Sequence, residues 1–184
     1  PDSSKAFVAC TGSNQVAAID LKGGKVLALL DVGKTPIHLA LKPDGGELIV
    51  SNFDSGSISI IETNANEVDA TFPIGNHPAH SAVSQDGTLA YVTNFEDDTV
   101  AVFSIDTRRL VTVLHVGDGP DALAISPTEE FVLTVDSKAG DLALVRRFQR
   151  KGIPVWALMT MFPVGSQPNQ IVVKNFMMTK PPVK

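Results

Sequence analysis

The chain has 184 residues, enough for one domain with a real core. Its 43% apolar and 19% charged residues exclude a disordered polar segment. A formal net charge of −5 argues against nucleic acid, whose binders carry a basic stripe. The one apolar run of note, 155–164, contains Thr160 and Pro163 and is too short to span a bilayer. Cys10 is the single cysteine, so neither an internal disulfide nor a cysteine-based metal framework is available. The chain opens on Pro1-Asp2, in mid-repeat and without an initiator Met or signal peptide, and so reads as a processed product or a fragment.

A stride of 42 residues organises the chain. Gly33, Gly75 and Gly117 keep it, as do Pro36, Pro78 and Pro120, while Gly165 and Pro168 fall 48 further on. A period in the 40s with Gly/Pro punctuation and short alternating runs predicts an all-β fold, a β-propeller of four-stranded antiparallel blades. The repeats are 1–42, 43–84, 85–126 and 127–174, followed by a C-terminal tail, 175–184. The first repeat starts at the turn after an inner strand A, so it holds strands B, C and D only. In the third unit, A is expected at 79–84, B at 89–94, C at 99–105 and D at 110–116. Asp86-Gly87 forms the A–B hairpin, where glycine takes positive φ at little cost. In the fourth unit the six extra residues fall between C and D, in a basic loop with Arg146, Arg147, Arg150 and Lys151. Trp156 follows on strand D and is expected to pack between blades. A fourth A-like segment, 169–174, could latch onto the first blade.

The run Tyr91-Val92-Thr93-Asn94, with VG-x-x-P before strand A and a D-G turn after it, resembles the YVTN-repeat family of β-propellers. Leu48–Asn52, Phe7–Thr11 and Val132–Asp136 are looser copies. The resemblance implies seven or eight blades in the complete ring and an extracytoplasmic setting, periplasmic or cell-surface. The chain then reads as a piece of a longer protein, as half of an eight-bladed ring completed by a second copy, or as a closed four-blade ring.

Residues with chemical potential gather at the start of strand A, which lines a propeller's channel. His38 and His80 share one slot, two residues after Pro36 and Pro78, and His77 precedes Pro78. Asp121 and Asn169 take the neighbouring slot in later units. Neutral imidazoles so placed could bind copper or zinc or ligate a haem-type cofactor, although two histidines without a third ligand make a poor site. The loop Asn94–Asp98 groups oxygens that could hold calcium but lacks a full calcium-loop motif. The D–A/B–C face collects Asp54, Glu96, Asp97, Asp98, Asp118, Asp121 and Asp136, opposite the basic loop. Cys10 sits in a strand-B run and reads as a small buried apolar residue.

The leading expectation is a non-catalytic scaffold without cofactor. Its partner is a protein, docked at the basic loop, or a second copy of the chain, with no nucleic acid and no membrane span. The first alternative is a metal- or haem-dependent redox propeller using the channel histidines. The second is a lactonase-type hydrolase, because Asn52-Phe53-Asp54-Ser55-Gly56-Ser57 is similar to blade loops of sugar-lactone hydrolases with propeller folds.

Overall fold

The computed structural model describes residues 4–174. Among them, fifteen strands form four antiparallel sheets, each a meander in chain order. The first blade holds β1 (Lys5–Cys10), β2 (Gln15–Asp20) and β3 (Lys25–Asp31). The second holds β4 (Pro36–Leu41), β5 (Glu47–Asn52), β6 (Ser57–Glu62) and β7 (Glu67–Pro73). The third holds β8 (Pro78–Val83), β9 (Leu89–Asn94), β10 (Thr99–Ser104) and β11 (Arg109–His115). The fourth holds β12 (Pro120–Ile125), β13 (Phe131–Asp136), β14 (Asp141–Arg150) and β15 (Ile153–Pro163). The propeller blades expected from the stride are therefore present, and the described residues of the first supply three strands.

Turn chemistry explains the repetition. The β4–β5 and β8–β9 hairpins turn on Gly45 (φ 75°) and Gly87 (φ 73°). The fourth blade puts Glu129 in the same left-handed slot (φ 57°), a conformation disfavoured for a side chain.

Three apolar clusters fill the three junctions between consecutive blades. Val16 and Leu30 of the first blade meet Leu48, Val50 and Ile61 of the second. Ile49, Ile58 and Ile60 meet Val92, Phe103 and Ile105. Tyr91, Val100 and Val102 meet Leu123, Val132 and Val145, with Trp156 packed alongside. Strands β5 and β9 are buried at all six positions because a blade covers each of their faces, so apolar residues run without alternation through 48–50 and 89–92. Each fully buried Ile or Val stabilises the fold by about 1.5–3 kcal/mol. Trp156 donates its indole N–H to the Tyr91 hydroxyl (3.2 Å), which confirms the blade-to-blade role read from its position.

No such cluster joins the first and fourth blades among the described residues. The blades form an open arc, not the closed four-blade ring held as one alternative. Residues 169–174 join no strand, contrary to the latch expectation, because no second strand pairs with them. The basic segment is not a loop either. Strands β14 and β15 run on as a long hairpin and turn on Lys151 (φ 53°) and Gly152 (φ 78°), and the ladder continues to Arg150↔Ile153 because Pro154, opposite Gln149, lies on the terminal strand of the sheet, where a missing N–H costs little. Cys10 is half-buried rather than buried, because it lies in the blade with only one neighbour. The tail 175–184 lies outside the described residues.

A polar lock recurs at the end of the second strand in each four-stranded blade. Asn52 Nδ2 donates to Ser57 Oγ (3.2 Å) and Ser59 Oγ (2.9 Å). Asn94 Nδ2 donates to Thr99 Oγ1 (3.2 Å) and to the Ile74 carbonyl (3.3 Å). The fourth blade replaces this donor–acceptor pair with Asp136 and Asp141, paired across β13 and β14. Gly117 N–H donates to Asp136 Oδ2 (3.0 Å), but Oδ1 of both carboxyls is buried without a donor. Burial, and then the neighbouring Asp141, push the Asp136 carboxyl up to about 7. The folded chain thus keeps a proton that an unfolded aspartate releases near pH 4, so this pair stabilises at low pH and its contribution is lost as pH rises through about 7. Asp136→Asn supplies the amide found in the other blades. It should flatten the loss of stability between about pH 4 and pH 7 and raise the pH 8 melting temperature by about 2–4 °C per kcal/mol recovered. An unchanged pH profile in thermal unfolding contradicts a shared proton.

Candidate functional site

The inner strands β4, β8 and β12 open with one device. The residue before the proline takes positive φ: Thr35 (56°), His77 (54°) and Gly119 (68°). Its carbonyl accepts the N–H of the residue just beyond the paired strand, namely Phe53 (2.9 Å), Phe95 (3.0 Å) and Ser137 (2.8 Å). The register then slips at Pro36/His38, Pro78/Ser81 and Pro120/Ala122. A bulge of this kind unpairs one or two residues and re-aims their side chains. In β4 and β12 it frees Ile37 and Asp121, and in β8 it frees Ala79 and His80.

In β8 the slip removes the ladder partner of the His80 N–H. Thr93 Oγ1 replaces it at 2.9 Å and donates back toward the His80 carbonyl at 3.3 Å. Held in this way, His80 lies against His38 of the preceding blade, with ring centroids 3.8 Å apart and planes tilted by 33°. His38 Nδ1 accepts the Ser81 backbone N–H (3.2 Å) and lies 3.1 Å from Ser81 Oγ. Burial, reinforced by the neighbouring His80, lowers His38 to about 4, and burial also lowers His80. Two stacked imidazoles cannot both carry charge in a half-buried setting, so at neutral pH the pair is uncharged. The sequence slot shared by the two histidines is thus a spatial pair.

The other expected residues separate. His77 packs on Phe53 with the rings tilted by 54° (4.5 Å between centroids), its Nδ1 buried without a partner among the described residues. Phe95 lies 6.5 Å from Phe53 and carries the Lys138 ammonium 4.5 Å above its ring. Asp121 is half-buried on β12, which packs against β8, and burial raises its carboxyl above the usual range. It makes no hydrogen bond to either histidine. Asn169 is exposed in the irregular segment 164–174.

The carboxylates of the proposed calcium loop serve separate partners. Asp97 accepts the Asn76 N–H (2.7 Å), Asp98 accepts the Gly119 N–H (3.0 Å), and Glu96 pairs with Lys138 (3.0 Å). Among the described residues no group of three His, Cys, Asp or Glu side chains is placed to hold a metal. Of the acidic face, Asp136 is buried in its lock and takes no part. Arg146 and Arg147 pair with Glu130 and Glu129, leaving Arg150 and Lys151 exposed at the hairpin tip. A cavity of about 370 Å³ between Lys138, Pro163, Gly165 and Gln167 lies at the edge of the fourth blade, away from the histidines.

Ser81, Phe95 and Lys138 escaped the sequence reading, and Thr93 and Phe53 entered it only as members of motifs, with no role of their own. Ser81 carried a signal: it is polar where the sister slots hold Leu39 and Leu123.

Known proteins share this architecture. A family model described as lactonase, 7-bladed beta-propeller, matches residues 63–161, more than half of the chain. The chain belongs to this lactonase family of seven-bladed propellers. The expected propeller is confirmed, and the narrower YVTN-repeat assignment is not the one the family model returns. No curated protein matches the chain. Its fold is similar to the periplasmic gluconolactonase of Pseudomonas aeruginosa (TM-score 0.79, 21% identity, 92% of this chain and 53% of that one). It is similar to a putative 6-phosphogluconolactonase from Bacteroides uniformis (TM-score 0.78, 17% identity, 91% and 54%). It is also similar to the hydrazine synthase of Kuenenia stuttgartiensis (TM-score 0.70, 20% identity, 84% and 56%). At these identities the likeness establishes the fold, and the chain spans little more than half the length of those proteins.

Thr93→Val keeps the shape of this lactonase-family blade but removes the side-chain acceptor of the His80 N–H. It should cost about 1–3 kcal/mol, the penalty of an unsatisfied buried donor, measured by urea unfolding. A neutral effect contradicts the role given to Thr93 in holding the bulge.

Proposed function

We propose that the chain forms part of a propeller hydrolase that opens a small, uncharged, polyhydroxylated lactone, with the His38–His80 pair at the reacting centre. The observation that carries this reading is the family match across residues 63–161, which takes in His80, Ser81 and Thr93. It favours the lactonase alternative over the scaffold reading, and the two gluconolactonase-type folds support it. The periplasmic setting named for one of them supports an extracytoplasmic location here. No helix among the described residues is long and apolar enough to cross a membrane.

The chemistry needs few parts. Water attacks the lactone carbonyl carbon, the ring C–O bond breaks, and the water's proton ends on the ring oxygen to leave a hydroxy acid. A half-buried neutral imidazole can carry that proton between the two oxygens. Around the site Glu96, Asp97, Asp98, Asp118 and Asp121 set a negative potential, and Lys138 is committed to Glu96 (3.0 Å) and Asp118 (3.9 Å). That field disfavours a phosphorylated lactone.

In the intact protein, His80→Asn should lower the hydrolysis rate about 10²–10⁴-fold, the usual loss for a general base. Because burial lowers His80, the rate should hold from pH 8 to below the ordinary histidine value of about 6.5 and decline only in more acid solution. Gluconolactone should be opened faster than its 6-phosphate. The absence of turnover above the spontaneous rate across a lactone panel removes this reading.

A second reading, docking of an acidic partner, is favoured by one feature. The β14–β15 hairpin presents Arg150 and Lys151 beside the exposed apolar Phe148 and Ile153.

A further inference from the structure

We propose that His38 is the carbonyl-polarising donor of this site, a neutral imidazole whose proton is fixed on Nε2 by the backbone of Ser81, and that the proton-accepting role falls to His80 alone. The proposal rests on the lactone reading and assigns its two histidines different tasks.

The tautomer is set by one bond. A backbone N–H can only donate, and that of Ser81 points at His38 Nδ1 at 3.2 Å. Nδ1 must therefore present its lone pair, and the single proton of a neutral ring sits on Nε2. Ser81 Oγ, on a residue only 2% exposed, lies 3.1 Å from the same nitrogen and can add a second donor. Protonating Nδ1 would set N–H against N–H. It would also place a cation 3.8 Å from the His80 ring, within a junction where both histidines are half-buried. The lowered basicity of His38 agrees with this geometry.

His80 differs. Its backbone is held by Thr93, but its Nδ1 is buried with no protein donor or acceptor. Among the described residues no bond fixes its tautomer, so it can exchange protons as its neighbour cannot.

In lactone opening, negative charge develops on the carbonyl oxygen as water adds. A fixed Nε2–H stabilises that oxyanion without giving up its proton. The proton released by water goes to His80 and then to the ring oxygen as the C–O bond breaks, and His38 ends as it began. A general base in the His38 slot would instead need an accepting nitrogen free at neutral pH, and its Nδ1 is already taken.

The test has a spectroscopic and a kinetic arm, both on the intact protein. Long-range ¹H–¹⁵N correlation spectra of ring-labelled protein should show His38 with bare Nδ1 and protonated Nε2, unchanged from pH 8 to 5. An Nδ1–H tautomer, or titration near the ordinary value of about 6.5, overturns the proposal whether or not lactones are hydrolysed. In the kinetic arm, His38→Gln keeps a neutral donor and loses any base. It should retain far more gluconolactone hydrolysis than His38→Leu, which should lose about 10²–10³-fold. Equal loss in both variants overturns the donor role. The expected tautomer together with no turnover in the wild type leaves the assignment of the proton standing and overturns the lactone reading, with the catalytic role that depends on it.

Discussion

A propeller blade is apolar on both faces, and the fold depends on covering them. The second and third blades meet this constraint fully. Ile49, Ile58 and Ile60 press on Val92 and Phe103, while Tyr91 and Val102 on the opposite face press on Val132 and Val145. That two-sided packing explains why β5 and β9 are buried from end to end and why their sequences show no alternation. It also fixes where the inner strands lie. Only when neighbouring blades are pressed together do β4 and β8 come close enough for His38 to reach Ser81 and stack on His80.

Within this frame, the site is made by an irregularity. A regular ladder would send alternate side chains to the two junctions and leave nothing reactive at the inner edge. The bulge after each inner-strand proline breaks that alternation, and Thr93 takes over the hydrogen bond the ladder gives up. The same device recurs in β4 and β12 with different cargo: Ile37 in one and Asp121 in the other. A repeated backbone thus carries unrepeated side chains, which is how one family framework acquires chemistry at particular positions.

Much of the frame was legible in the sequence. The 42-residue stride placed the blades, and β9 falls on 89–94 as its apolar run and flanking turns required. The common slot of His38 and His80 pointed to a pair, because equal phase in neighbouring repeats means adjacency in space. The donor set of that pair was not legible. A serine at 81 in place of leucine marks the position, but its backbone bond to Nδ1 depends on the wider slip of β8, which the shared proline does not distinguish from the one-residue slips of β4 and β12. Asp136 was read as surface charge and Asp141 carried no reading, since an aspartate looks the same in sequence whether it shares a proton or meets solvent. Residues 169–174 carried a strand pattern but lack the pairing that makes a strand, which is a fact of tertiary structure rather than of propensity.

The central claim is that a bulge-held histidine pair, between the second and third blades, is where a lactone binds. It is tested most directly by adding gluconolactam, a slowly hydrolysed mimic of the lactone, to ring-labelled intact protein and monitoring the histidine ¹⁵N resonances. The account predicts that His38 Nε2 and His80 shift together on binding, while His115, exposed at the end of β11, stays in place. Binding that leaves both channel histidines unmoved would contradict it.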